Sequence, residues 1–262
     1  MSKLISSREN PQYKALKALT SSTQARRRAG QCVLEGVHLC QAYLEQMGLP
    51  AQCVVSEAAQ AHPEAAALLA RCEQGAISCL VLGGNLFSGL SQLEQGVEIL
   101  FVIDTPNNAA IGALTDSAVL LDNVQDPGNV GSILRSAAAA GVRNVLCGPG
   151  TAFAWSGKVL RAGMGAHFSL RIAEGVDLAQ VLAQSKVPVY ATSSHVDASL
   201  YALNLRGPAA WLFGHEGQGV APHLLDQATA RIAIPHRGPM ESLNVAASAA
   251  ICLFEHLRQN LH

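Results

Sequence analysis

The sequence lacks several features that would settle its class quickly. No apolar run reaches the roughly 18 residues that a membrane span needs, and the first ten residues, Met-Ser-Lys-Leu-Ile-Ser-Ser-Arg-Glu-Asn, hold no apolar signal core. The seven cysteines (Cys32, Cys40, Cys53, Cys72, Cys79, Cys147 and Cys252) form no Cys-x-x-Cys pair, and an odd, scattered set reads as reduced thiols of a cytoplasmic protein. The nine histidines include no His-Glu-x-x-His or other ligand spacing, so no metal is expected. There is no Gly-x-Gly-x-x-Gly and no Gly-x-x-x-x-Gly-Lys-Ser/Thr, which sets aside the usual dinucleotide and P-loop readings. Aromatics are only 5% of the chain, and the net charge is −1, which by itself argues weakly against a nucleic-acid partner.

What is present is aliphatic. Of 262 residues, 49% are hydrophobic, enough for one large domain or two of ordinary size. Strand-like and helix-like segments alternate along the whole length, as expected for an α/β protein. The first part reads as a helix over 12–28, strands at 31–35 and 52–55, helices opening after Gly36 and at His62-Pro63, and strands near 77–82 and 98–103. Asp104 to Gly112, with Pro106 and two asparagines, is the best linker candidate. Beyond it strands are expected at 118–122, 144–147, 168–172, 187–192, 209–213 and 231–234. Helices are expected at 129–140, 155–163, 177–185, 220–228 and 243–259. Nearly continuous apolar strands such as Val119-Leu-Leu121 and Trp211-Leu-Phe213 suit a parallel sheet buried on both faces.

Charge is uneven. Within the first 30 residues Lys3, Arg8, Lys14, Lys17, Arg26, Arg27 and Arg28 face Glu9 alone. The run Arg26-Arg27-Arg28 is either a solvated helix face or a phosphate contact.

Ligands of parallel α/β sheets bind beyond the carboxyl ends of the strands, and three stretches stand out there. The first runs from Leu121 through Asp126-Pro-Gly-Asn129 to Arg135, where an arginine enters an otherwise apolar, Ala-rich helix. Burying that charge without an anionic partner is costly, so it is either a surface arginine or part of an anion site. The second is Trp211-Leu-Phe-Gly-His-Glu-Gly-Gln-Gly219, a glycine-rich turn carrying Glu216. The third is Ile234-Pro through Ser242-Leu-Asn244, where good capping residues open a small-residue helix. It is either a capped, buried helix or a binding loop.

Together these stretches resemble the three motifs of the SpoU/TrmH-type RNA ribose methyltransferases of the SPOUT superfamily. Asn123, Asp126, Pro127, Asn129, Gly131 and Arg135 match the first motif. Gly214, Glu216 and Gly219 match the second. Ile234, Pro235, Gly238, Ser242, Leu243, Asn244 and Val245 match the third, with His236 where members often have Met. Gly157-Lys-Val-Leu-Arg-Ala-Gly-Met-Gly-Ala166 is similar to the intervening segment. Asn10-Pro11 and Val33-Leu-Glu-Gly-Val-His38 are similar to the substrate-binding domain of the L30e/L7Ae type that many members carry.

The resemblance implies a smaller L30e-like α/β domain at 1–105 that binds RNA, followed at 106–262 by a parallel-sheet α/β domain tied in a deep trefoil knot. It implies S-adenosylmethionine held around Phe213, Gly214, Ile234, Pro235 and Leu243, and methyl transfer to a ribose 2′-hydroxyl. Arg135, Asn129, Glu216, Ser242 and Asn244 become the catalytic set, with Arg26, Arg27 and Arg28 as RNA contacts and a homodimer as the working form. The extra N-terminal domain favours ribosomal RNA. A tRNA target and a catalytically silent RNA-binding protein remain as alternatives.

Overall fold

The computed structural model describes residues 2–93, 95–106, 112–193, 196 and 198–261. The chain forms two compact units, Met1–Asn107 with Trp155–Phe168, and Asn108–Ala154 with Ser169–His262. Most of the linker expected at 104–112 lies outside the described residues.

The first unit is built on a five-stranded mixed sheet in the order β1-β4-β3-β5-β2. In chain order its elements are β1 (Lys3–Ile5), α1 (Pro11–Ser21), α2 (Thr23–Ala29), β2 (Gln31–Glu35), α3 (Val37–Gln46), β3 (Gln52–Ser56), α4 (Pro63–Gln74), β4 (Ser78–Leu82) and β5 (Ile99–Asp104). Strands β1, β4 and β3 run parallel, and β5 is antiparallel to both its neighbours, β3 and β2. Ile5, Leu16, Val54, Leu80, Phe87 and Leu100 belong to one core of this unit.

The helix expected over 12–28 is two helices. Asn10 caps α1, accepting from the Gln12 amide, and Pro11 fills the first position, where no amide is required. Ser22 is extended (φ −125°, ψ 120°), and its hydroxyl accepts from the Ala25 amide to start α2. In the Ser-Ser-Thr run the side chains compete for backbone hydrogen bonds and favour a cap over continuation. The break turns Arg26 inward, where it donates to the carbonyls of Leu19 (2.6 Å) and Thr20 (3.3 Å), groups left open at the end of α1. Arg26 is therefore buried at 7% exposure, while Arg27 and Arg28 are exposed. Of the arginine run, Arg26 is a helix-end clamp and is not placed to contact a phosphate.

The helix expected at 155–163 is α6 (Gly157–Gly163), and it belongs with the first unit. It packs on β2. Arg161 pairs with Glu35 at 3.8 Å and donates to Gln92, and the Phe168 ring meets Tyr43 edge-on at 5.3 Å.

The second unit is a six-stranded, wholly parallel sheet in the order β11-β9-β10-β6-β7-β8. Its elements are β6 (Ala118–Leu121), α5 (Pro127–Ala139), β7 (Asn144–Cys147), β8 (Arg171–Glu174), α7 (Leu178–Gln184), β9 (Val189–Thr192), β10 (Ala210–Phe213), α8 (Pro222–Leu225), β11 (Ala230–Ile232) and α9 (Val245–Asn260). Every residue of β6 and β10 is buried, as their continuous apolar runs imply. Two expected strands shift. Residues 166–169 form a 3-10 turn, so β8 begins at Arg171 instead of Phe168. Strand β11 ends at Ile232, with Ala233 held by a single bridge to Ser199, and the chain leaves the ladder before Pro235.

All seven cysteines are buried and none is in a disulfide. Burial pushes the Cys32 and Cys252 thiols up to about 12. A thiol-specific chromogenic reagent is expected to find no rapidly reacting cysteine in the native protein and seven after denaturation. Prompt reaction of even one equivalent in the native state would contradict the packing.

Candidate active site

The sheet order reverses beside β6. The chain moves outward through β7 and β8, then returns to place β10 on the opposite side of β6. Such a switch point leaves a crevice at the carboxyl ends of the flanking strands, and all three motif stretches lie there.

After β6, Asp122 accepts from the Ala221 amide at 2.8 Å, and Asn123 takes the left-handed conformation (φ 57°) that asparagine tolerates. Asp126 then caps α5, its Oδ1 accepting from the Asn129 amide at 2.8 Å, with Pro127 in the first helical position. After β10 the chain makes a tight loop. The Gly219 amide donates to the His215 carbonyl, and His215 Nδ1 accepts from the amides of Gly217 (2.9 Å) and Gln218 (3.2 Å). Gly214 sits so close to the returning strand that a Cβ there would lie 2.2 Å from the backbone of Gly219 and Val220.

The loop presents Glu216 to the start of α5. Its carboxylate accepts from the amides of Gln125 (3.2 Å) and Asp126 (3.0 Å) and from Asn129 Nδ2 (3.0 Å). Burial alone would raise this carboxyl, but the donors from Asn129, Asp126 and Gln125 outweigh it and bring it down to about 2. A depressed carboxyl contributes its stabilisation fully above the ordinary glutamate pKa of about 4.3 and loses it as pH falls toward the folded value. Glu216 is thus ionised at every pH at which the protein would work, an acceptor and not a proton donor.

The third motif joins through Asn244. Its Oδ1 caps α9 by accepting from Ala246 (2.9 Å) and Ala247 (3.2 Å), and its Nδ2 donates to Asn129 Oδ1 at 3.0 Å. A continuous chain, Asn244 to Asn129 to Glu216, therefore ties the three motifs together, and α5 packs against α9 beside it. Asn129→Ala removes the shared member, leaving the Asn244 amide without its acceptor and Glu216 short of one donor. We expect turnover to fall by roughly 10- to 100-fold, the rate equivalent of the ~1–3 kcal/mol that an unpaired polar group costs, with the melting temperature little changed. Full activity in Asn129→Ala would dissociate the chain from function.

An open cleft of about 370 Å³ lies against this chain, lined among others by Thr192, Gly214, Glu216, Ile234, Ser242 and Leu243. Of the residues expected to hold a cofactor, Gly214, Ile234 and Leu243 line it, Phe213 is buried in β10 immediately before it, and exposed Pro235 is not part of the lining. Of the expected catalytic set, Glu216 and Ser242 line the cleft, while Asn129 and Asn244 reach it through their hydrogen bonds. Arg135 is exposed on α5, about 9 Å along the helix axis from Asn129 at 1.5 Å per residue. Among the described residues its side chain makes no hydrogen bond or ion pair, so its guanidinium is unpaired within the chain. Sequence reasoning passed over His215 as part of a glycine turn. Its ring acceptor shapes the loop, and a histidine directly before Glu216 was the available signal.

Residues 116–254 match the model of the SpoU rRNA methylase family. The 23S rRNA (guanosine(2553)-2'-O)-methyltransferase RlmP of Bacillus subtilis is 32% identical over 258 residues, covering 98% of this chain and 99% of that protein. The 23S rRNA (guanosine-2'-O-)-methyltransferase RlmB of Xylella fastidiosa is 38% identical over 144 residues, 54% of this chain and 58% of that one. The crystal structure of an AdoMet-bound rRNA methyltransferase from Sinorhizobium meliloti superposes with a TM-score of 0.85 at 26% identity, covering 100% of this chain and 99% of that one. The chain belongs to the SpoU rRNA methylase family.

Proposed function

We propose that this protein is an S-adenosylmethionine-dependent RNA methyltransferase that methylates a ribose 2′-hydroxyl of ribosomal RNA. The observation that carries the reading is the hydrogen-bonded chain from Asn244 through Asn129 to Glu216 beside the cleft. The cleft suits the cofactor: it is large, edged by backbone of the 214–220 loop and the 234–243 segment, and it has a glycine where a Cβ would collide. Gly214, Ile234 and Leu243 are the residues to hold the cofactor, with Phe213 and Pro235 supporting them. Bound there, S-adenosylmethionine supplies a methyl group already activated on a sulfonium.

The protein's tasks are then to position the hydroxyl and to manage its proton. Asn129, Glu216, Ser242 and Asn244 fix the loops around the reacting centre. The Arg135 guanidinium keeps its proton at any working pH. We assign it to stabilising the negative charge that builds on the ribose oxygen as its proton is lost to solvent water, before that oxygen takes up the methyl group.

We further propose that the chain beyond β11 is threaded as a deep trefoil knot and that the protein works as a homodimer in the cytoplasm. The dimer reading is supported by α9, which leaves Phe254 46% exposed beside small residues, and the compartment by seven reduced thiols. The first unit is the RNA-binding module. Its exposed Arg27 and Arg28 are the cations of the arginine run that face solvent. An Arg27→Ala/Arg28→Ala variant should bind RNA more weakly and with a smaller salt dependence, and unchanged binding at low and high salt would remove that assignment. The target is chosen by incubating the protein with labelled cofactor and separate unmodified pools of large-subunit rRNA, small-subunit rRNA and tRNA. Label in large-subunit rRNA supports the reading, and label confined to tRNA overturns it.

A further inference from the structure

A second cavity, about 460 Å³, opens at the other edge of the second unit's sheet, under the amino ends of β10, β6, β7 and β8. Its walls carry Arg143, which precedes β7, and Arg171, which opens β8. The two are neighbours across the strands: the Arg171 amide donates to the Arg143 carbonyl at 2.8 Å. Like charges side by side on adjacent strands repel, yet both side chains are exposed and neither makes a hydrogen bond or ion pair among the described residues. Asp116 is the carboxylate in the lining, and it is in ion-pair contact with neither.

The surroundings are built. His256 receives the Trp211 indole N–H at 3.1 Å on Nδ1, which leaves Nε2 to donate to the Gly207 carbonyl at 2.8 Å. Asn260 accepts from the Gly207 amide at 2.8 Å and donates to the Leu205 carbonyl. The polar groups of the floor are thus satisfied internally, and the arginines are what remains for something outside. The charge asymmetry extends beyond the cavity. Lys186 and Arg206 also precede strands at this edge, where Asp226 is already paired with Arg231, whereas Asp122, Asp126, Glu174 and Glu216 sit at the carboxyl ends.

We propose that this amino-end cavity is a second RNA site, in which Arg143 and Arg171 bind backbone phosphate of the same RNA whose ribose is methylated at the carboxyl ends. The proposal rests on the methyltransferase reading for the identity of its ligand. Guanidinium pairs match phosphate bidentately and without sequence preference. A four-residue strand is only about 13 Å long at ~3.3 Å per residue, so a folded RNA can reach both edges where a free nucleotide cannot. The site would act in affinity and register, not in chemistry.

The test uses the full chain with Arg143→Gln/Arg171→Gln, and Arg258→Gln as a control that removes a cation already paired with Glu255. Binding of a fluorescent large-subunit rRNA fragment is measured across salt concentrations, with cofactor affinity and melting temperature alongside. We expect the double variant to bind RNA about five- to twentyfold more weakly near 100 mM salt and its log–log salt slope to be shallower by roughly 0.7–0.9 per lost phosphate contact. Its kcat at saturating RNA should be unchanged, and Arg258→Gln should keep the wild-type slope. A wild-type slope and affinity in the double variant, or an equal loss in Arg258→Gln, would overturn the proposal. Absence of RNA binding by the wild-type protein would overturn the methyltransferase reading itself, and is read from a separate arm.

Discussion

Arg135→Ala is expected to lower kcat for methyl transfer by about a thousandfold or more while cofactor affinity stays within about twofold. The size follows from what the side chain is asked to do. Removing one donor that faces a developing oxyanion costs about 10²–10³ in rate, and a full positive charge is worth more than a neutral donor. The specificity of the effect follows from position. Arg135 lies outside the lining of the cleft, is exposed, and makes no bond among the described residues, so its removal leaves fold and cofactor loops untouched. Arg135→Lys separates charge from geometry: a compact ammonium keeps the charge but not the planar fork, and recovery of part of the rate would support electrostatic stabilisation. Near-normal kcat in a folded Arg135→Ala protein would remove the residue from the mechanism.

Gly214→Ala is expected to be the most damaging substitution by a single methyl group. The added Cβ would fall 2.2 Å from the carbonyl carbon of Gly219 and from the amide of Val220. These are backbone atoms at the neck of the loop, and they cannot rotate aside as a side-chain end can. The loop must open, and with it the hydrogen bonds from Glu216 to Gln125, Asp126 and Asn129. A loss of about 3 kcal/mol or more in stability is expected, at the high end for point substitutions, together with at least a hundredfold loss of cofactor affinity. Gly219→Ala is the control. Its φ of 71° strains any other residue, but nothing lies within 4 Å of the added methyl, so a cost of only about 1 kcal/mol is expected. Equal effects at the two positions would show that backbone conformation, not close approach, governs the loop.

The loops and helix starts that make up the candidate site were legible in the sequence because each is local, while the roles of their residues came from the resemblance. Asp126-Pro127 is a helix start whose physics needs no tertiary context, Gly214-x-Glu216-x-x-Gly219 follows a buried strand, and Asn244 of Ser242-Leu-Asn244 caps α9. What linear reading could not supply is the bond between them, since Asn129 and Asn244 are 115 positions apart. The expected failures have equally physical causes. Three residues, Lys3–Ile5, are too few to show a strand period, and β1 exists because β4 offers a parallel edge. The helix expected over 12–28 rested on Leu16 and Leu19, both in α1; beyond Ser22 only Arg26 is buried, so no apolar period marks the break. Arg26 looked like its neighbours until the open carbonyls at the end of α1 were available to receive it. Segment 155–168 has the alternation of the second unit but the partners of the first, Glu35, Tyr43 and Gln92.

Methyl transfer to a ribose of rRNA is measured by digesting to nucleosides an unmodified large-subunit rRNA that has been incubated with the protein and methyl-labelled S-adenosylmethionine. Label is expected in a single 2′-O-methylnucleoside, and it is lost on Arg135→Ala. Label on a base would contradict the assignment of the ribose hydroxyl, and no label despite measured cofactor binding would contradict the claim that this cleft transfers a methyl group to rRNA.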